Sequence, residues 1–176
     1  MKLSNTIKLL SLLLLFSAGM SSCSKDDDPE VQQQNIVEIA SSNADFSILV
    51  DALTKTDLVG ALSGTTEFTV FAPTNAAFQK TFTALGVADL NALETAVGNA
   101  GLKQILLYHV LGAEVKAAAV ETSFVSAISP RTAGGTDYLT MFIDASNGVK
   151  INDKATVTQA DIDATNGVIH AIDEVI

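Results

Sequence analysis

Cys23 is the only cysteine in the 176-residue chain. No intrachain disulfide can form, so a buried apolar core must hold whatever fold the chain adopts. Such a core is available, because 48% of the residues are apolar. A folded body of roughly 140 residues buries about two-thirds of the surface its unfolded form exposes, without help from a metal or a cross-link. The length fits one domain.

The position of Cys23 is informative in its own right. Lys2 and Lys8 give a charged start, Leu9 to Phe16 is apolar except for Ser11, and small residues follow up to the cysteine. A charged start, a short apolar run and a small-residue exit describe a secretory signal. A membrane span needs about 20 apolar residues, and this run is too short. Here the sequence resembles bacterial lipoprotein precursors, which are cleaved just before a cysteine that then receives lipid. Met20, Ser21 and Ser22 stand in the place of the lipobox. The competing reading is a cysteine lying by chance near an ordinary cleavage site. Several acyl chains on Cys23 would anchor the protein to a membrane, where a single one is marginal.

Residues 24–35, SKDDDPEVQQQN, hold one aliphatic residue and read as an acidic flexible tether. The Lys25-Asp26-Asp27 run looks like the signal that sends some Gram-negative lipoproteins to the outer face of the outer membrane. The expected layout is a signal peptide over 1–22, a tether with lipidated Cys23 over 23–35, and one domain over 36–176. The expected location is the outer membrane, lipid-anchored and exposed at the cell surface; the alternative is a periplasm-facing anchor.

The net charge is −10, and removing residues 1–22 leaves 8 basic and 20 acidic residues, a balance of −12. Arg131 is the only arginine. Nucleic acid requires a basic footprint, so nucleic-acid partners are excluded.

Asn35 opens the first periodic segment, a short helix through Ile36, Val37, Ile39 and Ala40 that stops at Ser41-Ser42-Asn43. Asp45 is the expected cap of the next helix and Asp57 of a third. Glu67 to Phe71 is rich in aromatic and branched residues and predicts a strand, which Pro73 ends. Thr74 is the expected N-cap of a helix carrying Ala77, Phe78 and Phe82. Asp89 starts another helix, which Gly98 and Gly101 interrupt. Leu102 to Leu111 reads as a buried helix with Gly112 as its C-cap. Tyr138 to Asp144 alternates, Asn147-Gly148 turns, and Val149 to Asn152 returns as a hairpin. Thr156 to Ile162 predicts a strand, Asn166-Gly167 a second turn, and Val168 to Ile176 the last strand. Helices first and strands later indicate an α+β fold.

Three segments carry a family resemblance: Phe68-Thr69-Val70-Phe71-Ala72-Pro73-Thr74-Asn75-Ala76-Ala77-Phe78, Leu107-Tyr108-His109-Val110, and Asp161 to Asp173 around Asn166-Gly167-Val168-Ile169-His170. With this spacing the sequence resembles the fasciclin domain over residues 36–176. The resemblance implies a β-wedge of two small sheets packed with several helices in the N-terminal half. It makes Thr74, Asn75, Asn166, Gly167 and His170 fold-defining. In animal members the Tyr-His segment resembles an integrin-contacting site, and Tyr108 and His109 match it. His109 reads either as part of a partner-contact surface or as a hydrogen-bonded histidine inside a packed helix. His170, between Ile169 and Ala171, reads as structural.

Catalytic signatures are absent from the sequence. No G-x-S-x-G nucleophile elbow and no phosphate-binding G-x-x-x-x-G-K occurs. Asp161, Asp163 and Thr165 have the opening spacing of a calcium loop, but Asn166 and Ile172 stand where glycine and glutamate are needed. Zinc needs clustered His or Cys, which the sequence lacks. The expectation is a protein without cofactor, metal or catalytic residues, monomeric, serving as an adhesion or interaction module for extracellular protein or matrix material. Alternatives are a carrier of an apolar small molecule, carotenoid- or lipid-like, and a structural accessory of a surface uptake complex.

Overall fold

The strand expected before Pro73 forms as β1 (Phe68–Pro73), and its sheet neighbour comes from the far end of the sequence. β7 (Gly167–Ile172) lies parallel to it in continuous register, from Phe68 opposite Gly167 to Pro73 opposite Ile172. Two of the segments that carry the family resemblance are therefore paired. The computed structural model describes residues 33–132 and 134–176. Cys23, the leader and most of the tether lie outside the described residues.

Among the described residues five α-helices precede most of the sheet: α1 (Ile36–Ser42), α2 (Ser47–Lys55), α3 (Val59–Leu62), α4 (Asn75–Leu85) and α5 (Leu90–Tyr108). Their starts show why these segments fold locally. Asn35 Oδ1 accepts from the N–H groups of Val37 and Glu38, and Glu38 accepts from Asn35 N–H, a complete capping box. Thr74 caps α4 through Ala77 N–H, and Asp89 caps α5 through Ala92 N–H, as the sequence predicts. Gly98 interrupts α5 with φ 75° and ψ 159°.

Three local expectations are corrected. Asp45 does not cap α2; it sits in a 3₁₀ turn over Ala44–Phe46, and Asn43 accepts from its N–H. Asp57 does not cap α3. It takes a left-handed φ of 56°, and α3 begins after Leu58 without a side-chain cap. The helix predicted through Leu111 ends at Tyr108, because Val110 and Leu111 pair with Val70 and Thr69 as β2 (Val110–Leu111). Sheet pairing outweighs helix continuation there, and the β-branched Val110 suits it.

The remaining strands are β3 (Ser123–Pro130), β4 (Tyr138–Asp144), β5 (Lys150–Ile151) and β6 (Ala155–Ala164). β3 is not foreseen in the sequence. Each strand is antiparallel to the next, and the parallel β1–β7 pair closes the ring. The ladders divide into two small sheets, one built on β7, β1 and β2 and the other on β4 and β5. β3 and β6 join both. This is the expected α+β wedge.

Side-chain alternation explains the layering. Val70, Ala72, Ile169 and Ala171 point to the helices, where Phe46, Leu49, Leu53, Leu62, Phe78 and Leu106 cover them. Phe71 and Ile172 point the other way, into the ring, against Leu111, Met141, Ile143 and Ile151. β1 and β7 are thus buried on both faces, which is why they read as nearly continuous apolar runs. β4 instead buries Met141 and Ile143 and exposes Tyr138 and Thr140.

Two asparagines fasten the helices to this pair. Asn166, 2% exposed, accepts from Ile36 N–H at 2.9 Å. Its amide nitrogen donates to the carbonyls of Leu62 (2.7 Å) and Gly64 (2.9 Å). It therefore satisfies an orphan N–H of α1 and the carbonyl end of α3 at once. Asn75 does the same at the other end of β1: its Oδ1 accepts from Ile48 N–H, and its nitrogen donates to Ala44 O and Ser47 Oγ. Gly167 has φ 132°, and a Cβ there would lie 1.9 Å from Phe68 O.

Asn166→Ala leaves two buried backbone groups, Ile36 N–H and Leu62 C=O, unpartnered and frees the more exposed Gly64 carbonyl; it should cost about 3 kcal/mol, read from the urea midpoint. Asn166→Asp is nearly isosteric but turns a carboxylate oxygen toward two carbonyls, so it should be at least as damaging. Wild-type stability of Asn166→Asp would contradict the role given to these bonds. Gly167→Ala should abolish folding.

Candidate partner-contact site

Tyr108 and His109 sit at the junction of α5 and β2, and the junction sends them in different directions. His109 is 2% exposed. Its Nδ1 donates to Ile105 O at 2.7 Å and its Nε2 accepts from Ile176 N–H at 3.0 Å. These partners assign the neutral Nδ1–H tautomer. Burial pushes its pKa down to about 4, opposed by the bond to Ile105 and aided by Lys154. The imidazole is turned into the fold and presents no atom to a partner.

Tyr108 is half-buried, with its ring against the core inside the strand ring. Its hydroxyl donates to Thr140 O at 2.9 Å and accepts from Asn152 Nδ2 at 3.0 Å. It braces β4 against the turn after β5. Asn152 in turn exchanges bonds with Phe142: its side chain accepts from the Phe142 N–H, and its backbone N–H donates to the Phe142 carbonyl.

His170 is also buried, stacked on Phe71 with centroids 5.7 Å apart. Its Nε2 donates to Val115 O at 2.9 Å, and its Nδ1 accepts from Asp161 N–H at 3.2 Å. Thr69 joins it in holding the segment after β2: its hydroxyl donates to Ala113 O and accepts from Val115 N–H. Asp161 accepts from Ala117 N–H, and Lys116 pairs with Asp163. The Asp163 carboxylate holds the Lys116 ammonium above the usual lysine range. Asp161 and Asp163 thus serve as loop ties rather than as the start of a calcium loop.

Of the exposed large apolar side chains among the described residues, Leu85 and Val97 lie on helices, and the two aromatic ones lie on the β3–β4 hairpin. Phe124 is 74% exposed and Tyr138 48% exposed. Phe124 lies opposite Phe142 in the ladder, and their rings tilt together at 5.1 Å. Tyr138, Thr140 and Phe142 share the outer face of β4, and Ser126 lies opposite Thr140. Among the described residues Phe124 is the one exposed phenylalanine; Phe46, Phe71, Phe78 and Phe82 are buried. This face is not foreseen in the sequence, because β3 is not. The alternation of Phe124 to Ile128, facing that of Tyr138 to Asp144, is the signal that points to it.

Beside the hairpin an open groove of about 510 Å³ runs between Leu111–Val115 and Val125–Ile128, with Tyr138 at its rim. The void between the helices and β1 holds only about 10 Å³. That is room for a single water at most. Among the described residues no group of three or more His, Cys, Asp and Glu is placed to hold a metal. Nor does any buried side-chain nitrogen or oxygen there lack a partner.

The model of the fasciclin domain matches residues 44–176. The chain belongs to the fasciclin domain family. Protein sll1483 of Synechocystis sp. is 43% identical over 141 residues, covering 80% of this chain and 72% of that one. Another protein from the same organism, uncharacterized protein sll1735, is 39% identical over 144 residues and is matched over 96% of its length. The transforming growth factor-beta-induced protein ig-h3 of Sus scrofa is 35% identical over 142 residues. That match takes in 80% of this fasciclin-domain chain but only 19% of the pig protein. Among solved structures, a FAS1 domain pair from the insect cell adhesion molecule fasciclin I superposes with a TM-score of 0.61 at 20% identity. The match covers 81% of this chain and 50% of that one. That likeness shows the fasciclin fold.

The depressed His109 pKa has a stability consequence. The unfolded protein binds a proton at His109 below about pH 6.5, whereas the folded one resists it until about pH 4. The contribution is complete above pH 6.5 and is lost as pH falls toward 4, about 3 kcal/mol in all. His109→Gln keeps one donor and one acceptor but cannot titrate. Urea midpoints between pH 7 and 4 should fall less steeply for the variant than for the wild type; parallel slopes would contradict the burial of a neutral imidazole.

Proposed function

We propose that this fasciclin domain is a non-catalytic adhesion or interaction module, held at the outer surface of the outer membrane by lipid on Cys23. Its partner is an extracellular protein or matrix component. Family membership supports the general class. The insect cell adhesion molecule supplies the adhesion context. The leader, the lone cysteine and Lys25-Asp26-Asp27 support the anchor and its outward face.

The contact face we assign is the outer face of β3–β4, centred on Phe124 and rimmed by Tyr138, Ser126 and Thr140. The observation that carries this assignment is Phe124, largely solvated in a fold that otherwise buries or half-buries the phenylalanines among its described residues. An exposed aromatic pair among hydroxyl groups offers an apolar anchor with a polar rim, the composition of interface centres. Tyr108 then acts from beneath, by bracing β4 through Thr140. His109 acts only through the packing of the helix end. A carrier role finds little support in the void of about 10 Å³ between helices and sheet. A role as accessory to an uptake complex would use the same face toward a different protein.

Phe124→Ser with Tyr138→Ser should lower the urea midpoint only slightly, since Phe124 is largely solvated and Tyr138 about half so. Adhesion of the anchored protein, or its pull-down from surface extracts, should weaken by roughly tenfold or more. Unchanged binding would move the contact face elsewhere. Cys23→Ser should release the protein from the membrane fraction, and protease added to intact cells should degrade the wild type. Membrane retention of Cys23→Ser would rule out the lipid anchor.

A further inference from the structure

The sequence contains two Asn-Gly pairs, Asn147-Gly148 and Asn166-Gly167, both at hairpin turns. This dipeptide is the one most open to spontaneous deamidation, because a glycine has no Cβ to obstruct attack by its own nitrogen. We propose that Asn147 is a deamidation site of the folded protein, and that folding shields Asn166 from the same reaction.

The chemistry uses only the polypeptide and water. The backbone nitrogen of the glycine attacks Cγ of the asparagine, and a new bond between them closes a five-membered succinimide. The bond from Cγ to the amide nitrogen breaks, and that nitrogen leaves as ammonia carrying the proton from the glycine N–H. Water then opens the ring at either carbonyl, leaving aspartate or, with the backbone rerouted through the side chain, isoaspartate.

The structure separates the two sites. Asn147 is exposed at the tip of the β4–β5 turn, and Gly148 has φ 78° with open space where a Cβ would be. Water reaches Asn147, and no side chain at Gly148 obstructs the approach of its nitrogen to Cγ. Asn166 is 2% exposed, and all three of its amide bonds run to backbone groups of Ile36, Leu62 and Gly64. To react, its Cγ must leave those partners and its leaving nitrogen must drop two hydrogen bonds. Gly167 is meanwhile pressed against Phe68 in β1. The reaction at Asn166 therefore needs the β1–β7 pair to open.

The products differ as sharply as the sites. At Asn147 one negative charge is added at the edge of a surface that is already acidic. At Asn166 a carboxylate replaces the donor that Leu62 and Gly64 require, so the product cannot rebuild the junction of α1, α3 and β7. Deamidation of the opened protein thus makes a loss of stability permanent.

The test is peptide mapping by mass spectrometry on the full-length protein aged in mildly alkaline buffer, folded in one arm and in urea in the other. In the folded arm Asn147 peptides should become about one dalton heavier. Asn166 should react on the order of a thousandfold or more slowly, following the open fraction of a stable domain. In urea both should react at comparable rates, and molecules altered at Asn166 should regain the fold on dilution only with the lowered urea midpoint expected of Asn166→Asp, or not regain it at all. Asn147→Asp should refold with the wild-type midpoint. The proposal is overturned if Asn166 reacts as fast as Asn147 in the folded arm, if Asn147 stays intact there, or if Asn166 stays intact in urea. It is equally overturned if molecules altered at Asn166 refold normally.

Discussion

Everything in this fold is arranged around a parallel pair of strands drawn from opposite ends of the domain. β1 and β7 are separated by nearly a hundred residues, yet they run side by side with no room between the Phe68 backbone and Gly167. Such a pair closes a long loop, and the entropic cost of closure must be recovered by contacts that only the closed state makes. Here they are two-sided. Ile169 and Ala171 meet the helices, Ile172 meets the ring interior, and Asn166 bonds the strand start to α1 and α3. A parallel pair is stable only when both faces are covered, and the protein covers one with helices and the other with its own β-ring.

From that centre outward the demands relax. β3 and β4 bury one face each, so their outer positions are free to carry Phe124, Tyr138, Ser126 and Thr140 without cost to the core. Interaction surfaces are commonly built on such one-sided elements held by a rigid scaffold. The two histidines mark the boundary. Both are connectors with each ring nitrogen bonded, His109 joining the helix end to Ile176 and His170 joining β6 to the segment after β2. Its place beside Tyr108 makes His109 look functional in a linear sequence, whereas His170, between Ile169 and Ala171, reads as structural. In three dimensions they hold the parts that present the surface.

Much of this is legible in the sequence, and the failures have physical reasons. Pro73 and Thr74 mark strand end and helix cap because each acts on its immediate neighbours. Asn147-Gly148 and Asn166-Gly167 mark turns for the same reason. The α+β class follows from the order of periodicities. What escapes are non-local choices. Asp45 resembles a cap, but Asn75, from another helix, reaches Ile48 N–H instead. Val110 and Leu111 look helical until β1 offers them a partner. β3 is hard to read because its residues alternate weakly, Ser126 and Ser129 included, and its register with β4 carries a bulge between Ser126 and Pro130. The Tyr108–His109 pair can be found in sequence, but where each side chain points is decided by the helix ending at Tyr108, short of where its apolar pattern suggests.

Native-state amide hydrogen exchange, resolved by residue, tests the central claim most directly. If the β1–β7 pair is the element on which the rest depends, the ladder amides of Val70, Ala72, Val168 and His170, with the Ile36 amide held by Asn166, should exchange only through global unfolding. Amides of the β3–β4 hairpin should exchange earlier, through smaller openings. Slower exchange in β3–β4 than in β1 and β7 would contradict the account and place the stable centre of the domain in the second sheet.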